Sequence, residues 1–297
     1  MNVILFYIFY GFIWLITWLP LPMLYKLSDF TSFINRHLIH YREKVVIENL
    51  KNSFPEKNEQ EIQTIAKRFY NHFFDVFFET VKLLHISEEK LNQHIWIKNP
   101  DVLEDLFAKN KHVIAAVGHY GNWEWMAGLP PRLPFSCVSV YKPIKSKLFD
   151  RFMNRLRNRF GLELVPMEKT LQVVLKKQRE KKLGMYALIS DQTPIRIRIK
   201  YWTSFMNQET PVFLGIEKLA RKSNSAVVFM QMQKIDRGKY EVIIHKLTED
   251  GAATNPYEIT EMHVRALEKI IRHQPEYWLW SHRRWKRKRI EKAEGKK

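Results

Sequence analysis

Residues 113–122 read VIAAVGHYGN, and this stretch decides the fold. The five apolar residues Val113–Val117 are typical of a strand that is buried on both faces of a parallel sheet. Gly118 ends the run, and Asn122 is a residue type that favours the first position of a helix. The stretch therefore predicts a buried strand that passes through a short loop, which contains His119, into a helix.

The sequence around this strand predicts strands and helices in alternation. Further strands are predicted at 137–141, 162–165, 184–190, 226–232 and 240–244, and helices at 27–54, 60–84, 146–160, 171–182, 210–221 and 257–273. This alternation indicates an α/β fold with a central β-sheet flanked by helices, and the late pair of strands makes the sheet mixed. No internal repeat or low-complexity linker is found, so residues 26–297 are predicted to form a single domain.

Residues 1–25 are predicted to form an N-terminal hydrophobic anchor helix in a membrane. The seventeen residues 3–19 are almost wholly apolar and would span about 26 Å as a helix, the short end of a membrane crossing. A hydrophobic hairpin or an interfacial anchor is the alternative. No basic segment precedes the run, which disfavours a cleaved signal peptide. The first positive charges, beginning with Lys26, follow the run, so the positive-inside rule places the body on the cytoplasmic side.

The net charge of the 297-residue chain is +18, from 49 Lys and Arg against 31 Asp and Glu. Residues 142–182 hold 13 basic and 4 acidic side chains, net +9, and residues 283–297 hold 9 and 2, net +7. Such stretches favour an anionic partner, which includes nucleic acid, lipid headgroups and acidic proteins. An apolar content of 45% excludes a disordered tail protein. The single Cys137 excludes an intramolecular disulfide and is predicted to be buried.

His119 and Glu124 are the candidate catalytic pair. On one continuous helix, residues five apart point about 140° away from each other. If His119 lies in the loop and Asn122 caps the helix, Glu124 falls in the first turn and can reach back to the imidazole. A carboxylate on one ring nitrogen fixes the tautomer and leaves the other nitrogen as a general base for a hydroxyl that attacks an acyl group. A loop histidine beside a chance carboxylate is the alternative, because the spacing alone is a weak pattern.

With these residues the chain resembles the bacterial lipid A late acyltransferases, the lauroyl and myristoyl transferases of the His-x4-Asp/Glu glycerolipid acyltransferase superfamily. The matching blocks follow in order along nearly the whole chain, at 119–124, 141–143, 155–161, 191–192, 205, 210–211, 219–220 and 275–286. The resemblance implies a glycerolipid acyltransferase-like fold, with His119 as general base and Glu124 as its partner. It further implies that acyl carrier protein donates a fatty acyl thioester to a hydroxyl of a lipid A precursor. No cofactor, metal or covalent acyl-enzyme is implied.

The candidate substrate-binding residues are Asn122, Arg159, Asp191, Gln192, Arg283 and Arg284. Arg159 is predicted to contact a phosphate or the thioester carbonyl, with a solvated helix face as the alternative. Asp191 and Gln192 follow a strand and would line the pocket, unless they only cap a turn. Arg283 and Arg284 would contact phosphate, or would be held structurally by stacking on neighbouring tryptophans.

Two features leave the acceptor and the function class open. The segment 195–202, IRIRIKYW, is unusually basic, and Met206 and Asn207 stand where the family usually has glycine. An aminolipid or lysophospholipid acceptor is therefore the alternative within the same chemistry. A membrane-tethered nucleic-acid-binding protein would explain the basic tail, but no nucleic-acid motif is present. An inactive scaffold would leave the His119 block unexplained. The sequence thus predicts an acyltransferase on the cytoplasmic side of the bacterial inner membrane, whose tail binds anionic lipid and which has no nucleic-acid partner.

Overall fold

A seven-stranded sheet forms the centre of the protein in the computed structural model, which describes residues 3–289. The strands are β1 (Ile95–Ile97), β2 (Val113–Val117), β3 (Ser136–Tyr141), β4 (Glu163–Pro166), β5 (Gly184–Ile189), β6 (Trp202–Phe205), β7 (Gln208–Pro211), β8 (Ala226–Asp236) and β9 (Lys239–Thr248). The order in the large sheet is β1-β9-β8-β2-β5-β3-β4, and β6 and β7 form a separate ribbon. In the large sheet, neighbouring strands are parallel except β8 and β9, and the two strands of the ribbon are antiparallel. The mixed central sheet predicted from the sequence is therefore confirmed.

Helices pack on both faces of this sheet. They are α1 (Val3–Ile16), α2 (Leu21–Ile34), α3 (Glu43–Ser53), α4 (Glu59–Lys82), α5 (Glu88–Asn92), α6 (Asp101–Ala108), α7 (Lys147–Asn158), α8 (Thr170–Arg179), α9 (Gly215–Ser223) and α10 (Glu258–His273). The long α4 begins with a capping box, in which Asn58 and Glu61 each accept a hydrogen bond from the other's backbone N–H.

The central strand β2 separates two apolar cores. Val113, Ala115 and Val117 belong to the core on one face of the sheet, and Ile114 and Ala116 belong to the core on the other. All five side chains are buried, as the continuous apolar run predicts. Because β2 is flanked by parallel strands on both sides, its carboxyl end opens onto the edge of the sheet where several strands end together.

The N-terminal apolar run does not form one long helix. It forms α1, then a turn, and then α2, so that the predicted domain boundary at residue 25 falls within α2. Phe6, Ile13 and Leu24 are buried in the core of the body. No helix within residues 3–289 has both the length and the apolar character needed to cross a membrane. The predicted membrane-spanning helix is therefore not confirmed.

Two further segments differ from the sequence predictions. The helix predicted over 27–54 is interrupted by a π-helical turn at Asn35–Ile39 and by left-handed backbone at His40 and Arg42. The helix predicted from Thr210 starts only at Gly215, because residues 208–211 pair with β6 instead. A Thr-Pro pair suits a helix start, but proline is equally tolerated at the end of a two-stranded ribbon, where its missing N–H costs little.

The β6–β7 turn explains the unusual residues at 206 and 207. Met206 and Asn207 have φ angles of 51° and 60°, the left-handed values that a tight hairpin turn requires. Glycine adopts these angles without strain, and asparagine tolerates them better than methionine does. The Met206 side chain is fully buried, so apolar packing accompanies the conformational cost.

Candidate active site

The loop after β2 is held in a tight conformation that presents His119. Gly121 has a φ of +61°, and a Cβ atom there would lie 2.9 Å from the Cγ of Met232, so a side chain is excluded by both strain and space. Asn122 Oδ1 accepts a hydrogen bond of 3.1 Å from the Trp125 backbone N–H. The predicted helix cap at Asn122 is nevertheless wrong, because the segment that follows is a 3-10 turn, Trp125–Gly128, whose N-cap residue is Glu124.

The carboxylate bound to His119 is that of Asp191. The distance from His119 Nδ1 to Asp191 Oδ1 is 2.6 Å, and the backbone N–H of His119 donates to Oδ2 over 2.8 Å. Trp278 Nε1 also donates to Oδ2, over 2.8 Å. Because β2 and β5 are adjacent and parallel, His119 and Asp191 each follow a strand end at the same edge of the sheet.

This arrangement fixes the orientation and the tautomer of the His119 ring. A carboxylate accepts only, so Nδ1 carries the proton and Nε2 is left with its lone pair. The side-chain nitrogen of Gln192 lies 3.2 Å from Nε2, as expected for an amide that donates to this lone pair. The His119 side chain is 17% exposed, so that Nε2 is within reach of a substrate.

Asp191 is buried yet remains ionised. Burial raises the pKa of Asp191, but the charge of His119 and the hydrogen bonds from His119 and Trp278 outweigh it and lower the pKa to about 2. The lowered pKa means that the ionised carboxylate is stabilised by the folded structure relative to the unfolded chain.

This pair makes a prediction for stability against pH. With a folded pKa of about 2 against an ordinary value of 3.8, Asp191 contributes about 2 kcal/mol to the free energy of unfolding. That contribution is complete above pH 3.8 and is lost as the pH falls through about 2. We expect the stability difference between the wild type and Asp191→Asn to shrink by about this amount from about pH 5 to about pH 2. Urea unfolding at a series of pH values measures it, and a constant difference would contradict the assignment.

Glu124 contacts an arginine and not the imidazole. Its Oε2 accepts from Arg157 Nε over 2.7 Å, its Oε1 accepts from Arg157 Nη2 over 2.5 Å, and Trp123 Nε1 donates to Oε1 over 3.2 Å. The prediction that Glu124 forms a hydrogen bond with His119 is therefore wrong. The physical reason is the turn at Gly121, which directs the Glu124 side chain toward α7, while Asp191 comes to the ring from the neighbouring strand.

Asn122 does not face the site. Its side chain is fully buried and donates from Nδ2 to Glu79 Oε2 over 2.7 Å. Tyr25 and Tyr240 also donate to the Glu79 carboxyl, and burial raises the pKa of Glu79. Asn122 thus fastens the loop to α4 through a buried polar cluster, and the expectation of a direct substrate contact is not supported by its position.

The arginines singled out from the sequence lie outside the cavity at His119. Arg159 Nη1 donates to the carbonyl oxygens of Leu83 and Ile86, both over 2.5 Å, beyond the end of α7. Arg283 is exposed, and Arg284 is buried and donates to Pro211 O over 2.7 Å. Arg159 and Arg284 thus donate to backbone carbonyl oxygens, and a substrate contact by either residue stays a prediction. The tail beyond Arg289 lies outside the described residues.

His119, Glu124, Arg157 and Gln192 line one cavity of about 410 Å³. This volume lies in the range of pockets that hold small-molecule ligands. Away from these polar groups, the wall consists mainly of apolar side chains on β2, β3, β5 and the 3-10 turn that follows Glu124. Within residues 3–289, no three His, Cys, Asp or Glu side chains are grouped so that they could hold a metal ion.

A known family covers this chain. The family model described as bacterial lipid A biosynthesis acyltransferase matches residues 1–287. The chain belongs to this family. The cavity at His119 lies at the carboxyl edge of the sheet, which is where ligands bind in open α/β folds.

Curated relatives agree with the family assignment. The acyltransferase is 23% identical over 278 residues to the lipid A biosynthesis lauroyltransferase of Escherichia coli K12, covering 93% of this chain and 89% of that protein. It is 23% identical over 277 residues to the palmitoleoyltransferase of the same organism, with the same coverage. A lipid A biosynthesis acyltransferase of Shigella flexneri matches equally well.

Arg157 lines the cavity at His119 but is not among the residues that the sequence singles out. It is one of four arginines, Arg151, Arg155, Arg157 and Arg159, that lie in or just after α7 and that charge alone does not distinguish. The signal was the helical period: Phe149 and Met153 are partly buried, and Arg157 continues their row at i+4, whereas Arg159 lies just past the last helical residue. This row of α7 side chains faces the 3-10 turn Trp125–Gly128, and Arg157 therefore lies beside Glu124.

Proposed function

We propose that this acyltransferase transfers a fatty acyl group from acyl carrier protein to a hydroxyl of a lipid A precursor. The observation that carries the proposal is a hydrogen-bonded His119–Asp191 pair on the wall of a largely apolar cavity, with Nε2 of the ring in contact with only the Gln192 amide among the described residues. A base beside an apolar cavity suits a reaction between a hydroxyl and a fatty acyl thioester. The relatives named above, a lauroyltransferase and a palmitoleoyltransferase of lipid A biosynthesis, support the same reaction class.

In the proposed reaction His119 moves one proton twice. The acceptor hydroxyl takes the place of the Gln192 amide at Nε2 and gives its proton to Nε2 as its oxygen bonds to the thioester carbonyl carbon. The carbonyl oxygen becomes an oxyanion. When the tetrahedral intermediate collapses, the carbon–sulfur bond breaks and the leaving thiolate of the carrier takes the proton from Nε2. Asp191 stabilises the imidazolium that exists between the two steps.

Arg157 is assigned to the developing oxyanion. Two of its nitrogens are used by Glu124, and Nη1 makes no hydrogen bond to any residue that the structure describes. A guanidinium held by a bidentate carboxylate is preorganised, so that it loses little freedom when an anion binds. Glu124 then acts on the reaction by holding Arg157, and not as the partner of the base.

The apolar part of the cavity is assigned to the acyl chain. Three rows of side chains cross this face of the sheet from the His119 end: Ile189, then the small pair Ala187 and Ser139, then Met185 beside Cys137. The first and last rows are four residues apart along β5, or about 13 Å. The small middle row leaves space for a hydrocarbon chain against the sheet, and Met185 narrows the far end.

Enlarging the middle row should shorten the chain that the enzyme accepts. In Ala187→Leu, three added carbon atoms enter the path of the chain, and we expect the ratio of palmitoyl to lauroyl transfer to fall about tenfold. Competition between the two acyl-carrier donors measures the ratio. Leu188→Met is the matched control, because Leu188 points to the opposite face. An unchanged ratio of palmitoyl to lauroyl transfer in Ala187→Leu would show that the acyl chain does not bind in this part of the cavity.

Attachment to the anionic inner membrane is assigned to the outer faces of α1 and α2. The inner face of α1 is buried through Phe6 and Ile13. Large apolar side chains on the outer faces and in the turn between the helices are exposed, among them Ile8, Phe12, Leu15, Trp18 and Phe30. Exposed apolar side chains of this number, rich in aromatic residues, are typical of an interfacial membrane helix. This arrangement corresponds to the interfacial alternative for residues 1–25.

Charging this surface should release the protein from membranes. We expect the double variant Ile8→Glu, Phe12→Glu to bind phosphatidylglycerol-containing vesicles about tenfold more weakly than the wild type, because two carboxylates resist burial among lipid tails. Co-sedimentation measures binding. Leu175→Glu on α8 is the control, since Leu175 is also exposed but lies outside α1 and α2. Equal binding by the wild type and the double variant would exclude this surface.

Acyl carrier protein, an acidic partner, is assigned to the exposed face of α7 and the segment before it. Lys142, Lys145, Lys147, Arg151 and Arg155 are all exposed there. Lys142 also lines the cavity, so a carrier docked on this face would stand beside the entrance that its acyl thioester must use. Attraction of this kind raises the association rate and weakens with salt.

The test of the function is a panel of donors and acceptors with the purified full chain. Lauroyl-acyl carrier protein and lauroyl-CoA are each combined with a lipid A precursor, an aminolipid and a lysophospholipid, and products are read by mass spectrometry. We expect transfer to the lipid A precursor from the carrier-bound donor. Transfer to the aminolipid or lysophospholipid alone would refute the acceptor, equal use of acyl-CoA would refute the carrier, and no transfer with any pair would refute the proposal.

A further inference from the structure

A second, much smaller cavity lies behind Asp191. Its volume is about 20 Å³, and polar groups of Ser190, Asp191, His263 and Arg284 line it together with apolar side chains. It lies on the side of the sheet that carries α10, and it shares Asp191 and Val117 with the surroundings of the active site.

Two buried side chains at this cavity have unused hydrogen-bonding atoms. Arg284 is 1% exposed, and although Nη2 donates to Pro211 O, neither Nε nor Nη1 has a partner among the residues that the structure describes. His263 is 6% exposed, and its Nε2 has no partner within the same residues. The guanidinium also forms no direct ion pair with Asp191. Buried polar atoms of folded proteins are almost always hydrogen-bonded, to protein or to ordered water.

The size and the chemistry of the cavity match one water molecule. A cavity needs at least about 10–15 Å³ to admit a water, which then requires two to four polar partners. Arg284 supplies donors, Asp191 an acceptor, and His263 a nitrogen that can do either. A small anion fits less well, because the Asp191 carboxylate lines the same space.

We propose that this cavity binds a single structural water held by Arg284, His263 and Asp191, and that Arg284 is a positioning residue that acts on His119 through Asp191. The water gives the buried guanidinium the acceptor that its neighbours do not provide. The guanidinium of Arg284 then lies behind the Asp191 carboxylate as a fixed positive charge, on the side opposite to the imidazole.

The fixed charge has a defined electrostatic effect. The titratable groups that face Asp191 are His119 from the loop after β2, His263 from α10, and His282 and Arg284 from the segment after α10. Burial lowers the pKa of His263 to about 4 and that of His282 to about 4, so both are neutral near pH 7. Burial also lowers the pKa of Arg284, to about 10, which leaves it protonated.

Arg284 is thus the permanent cation behind the His119–Asp191 pair. A nearby positive charge disfavours a second one on the imidazole, so the guanidinium opposes protonation of the ring. In this way the residue keeps the base in its working form, a consequence that rests on the proposed role of His119. Removing the charge should move protonation of His119 to higher pH.

Diffraction from crystals of the full chain tests the water site, whatever the reaction turns out to be. At a resolution that shows ordered solvent, we expect one peak within hydrogen-bonding distance of Arg284 Nη1 or Nε and of His263 Nε2. No peak in that cavity would overturn the proposal. An anomalous signal there after a bromide soak would identify an anion instead and would overturn it as well.

Titration of the imidazole tests the positioning role without an activity assay. In nuclear magnetic resonance of histidine-labelled protein, with His119→Gln used to assign the signal, we expect His119 to titrate about one pH unit higher in Arg284→Met than in the wild type. Arg284→Lys, which keeps the charge, should titrate close to the wild type. Arg284→Gln is the second neutral variant if Arg284→Met does not fold.

The outcomes separate this inference from the proposed function. Unchanged titration in a folded neutral variant would overturn the role of Arg284, even if His119 proves to be the base. A shifted titration in a protein whose His119→Ala variant still transfers acyl groups would support the electrostatic link and contradict only the proposed function.

Discussion

Replacing His119 by alanine is expected to reduce acyl transfer on the order of 10³-fold, because the attacking hydroxyl then loses its proton only to water. The loss should appear mainly in kcat, since the apolar cavity that holds the acyl chain is unchanged. The measurement is kcat/KM with a carrier-bound donor and the acceptor found in the panel experiment. His245→Ala is the matched control, because His245 is an exposed histidine on β9. Transfer undiminished in His119→Ala would rule out the general-base assignment.

The second prediction tests whether Asp191 is the carboxylate partner of His119. Asp191→Asn replaces an acceptor by an amide that can donate to Nδ1, and the ring can then turn to the tautomer in which Nε2 carries the proton. We expect kcat to fall about 10²- to 10⁴-fold. The fold should survive at neutral pH, because Trp278 and the His119 backbone can still donate to the remaining carbonyl oxygen. Circular dichroism checks this, and Asp101→Asn on the surface of α6 is the control.

The same experiment in Glu124→Gln separates the two carboxylates. This variant should weaken the hydrogen bonds that hold Arg157. It should lower kcat by a smaller factor, about tenfold, because the imidazole of His119 keeps Asp191 as its partner. The pH dependence of kcat should also stay as in the wild type, whereas it should change in Asp191→Asn. A severe loss in Glu124→Gln together with near-normal activity in Asp191→Asn would return the partner role to Glu124.

The location of the site was predictable from sequence, but the pairing within it was not. A continuous apolar run that ends at His119 and another that ends before Asp191 predict two buried strands, and parallel neighbours bring both ends to one edge. The contact between these side chains joins residues 72 positions apart. No local pattern encodes such a contact, whereas the five-residue spacing to Glu124 invites a local explanation.

The N-terminus shows a similar limit. The hydropathy of residues 3–19 is as high as that of a membrane helix. Hydropathy depends on composition alone, so it does not distinguish contact with lipid from contact with the body of the protein. Burial of Phe6 and Ile13 against the body uses part of this apolar surface within the protein. In the basic helix, charge counting could not separate Arg157 from Arg159, since the two differ only in which neighbours the end of α7 brings to them.

The segment that carries Trp278 is synthesised after all the other elements that surround His119. It pairs with the loop after β2 through the bridge between Tyr120 and Trp278, and Leu279 N–H donates to the His119 carbonyl over 3.1 Å. The N-terminal part of a domain leaves the ribosome first. The helices α1 and α2 are therefore exposed to the cell well before the Trp278 segment can pair with the loop after β2. A chain that terminates prematurely after β9 would therefore keep His119, Asp191 and Arg157 in its sequence and still lack a finished site. In genome data, a nonsense mutation late in the reading frame should thus be read as a loss of function, although every reacting group remains encoded.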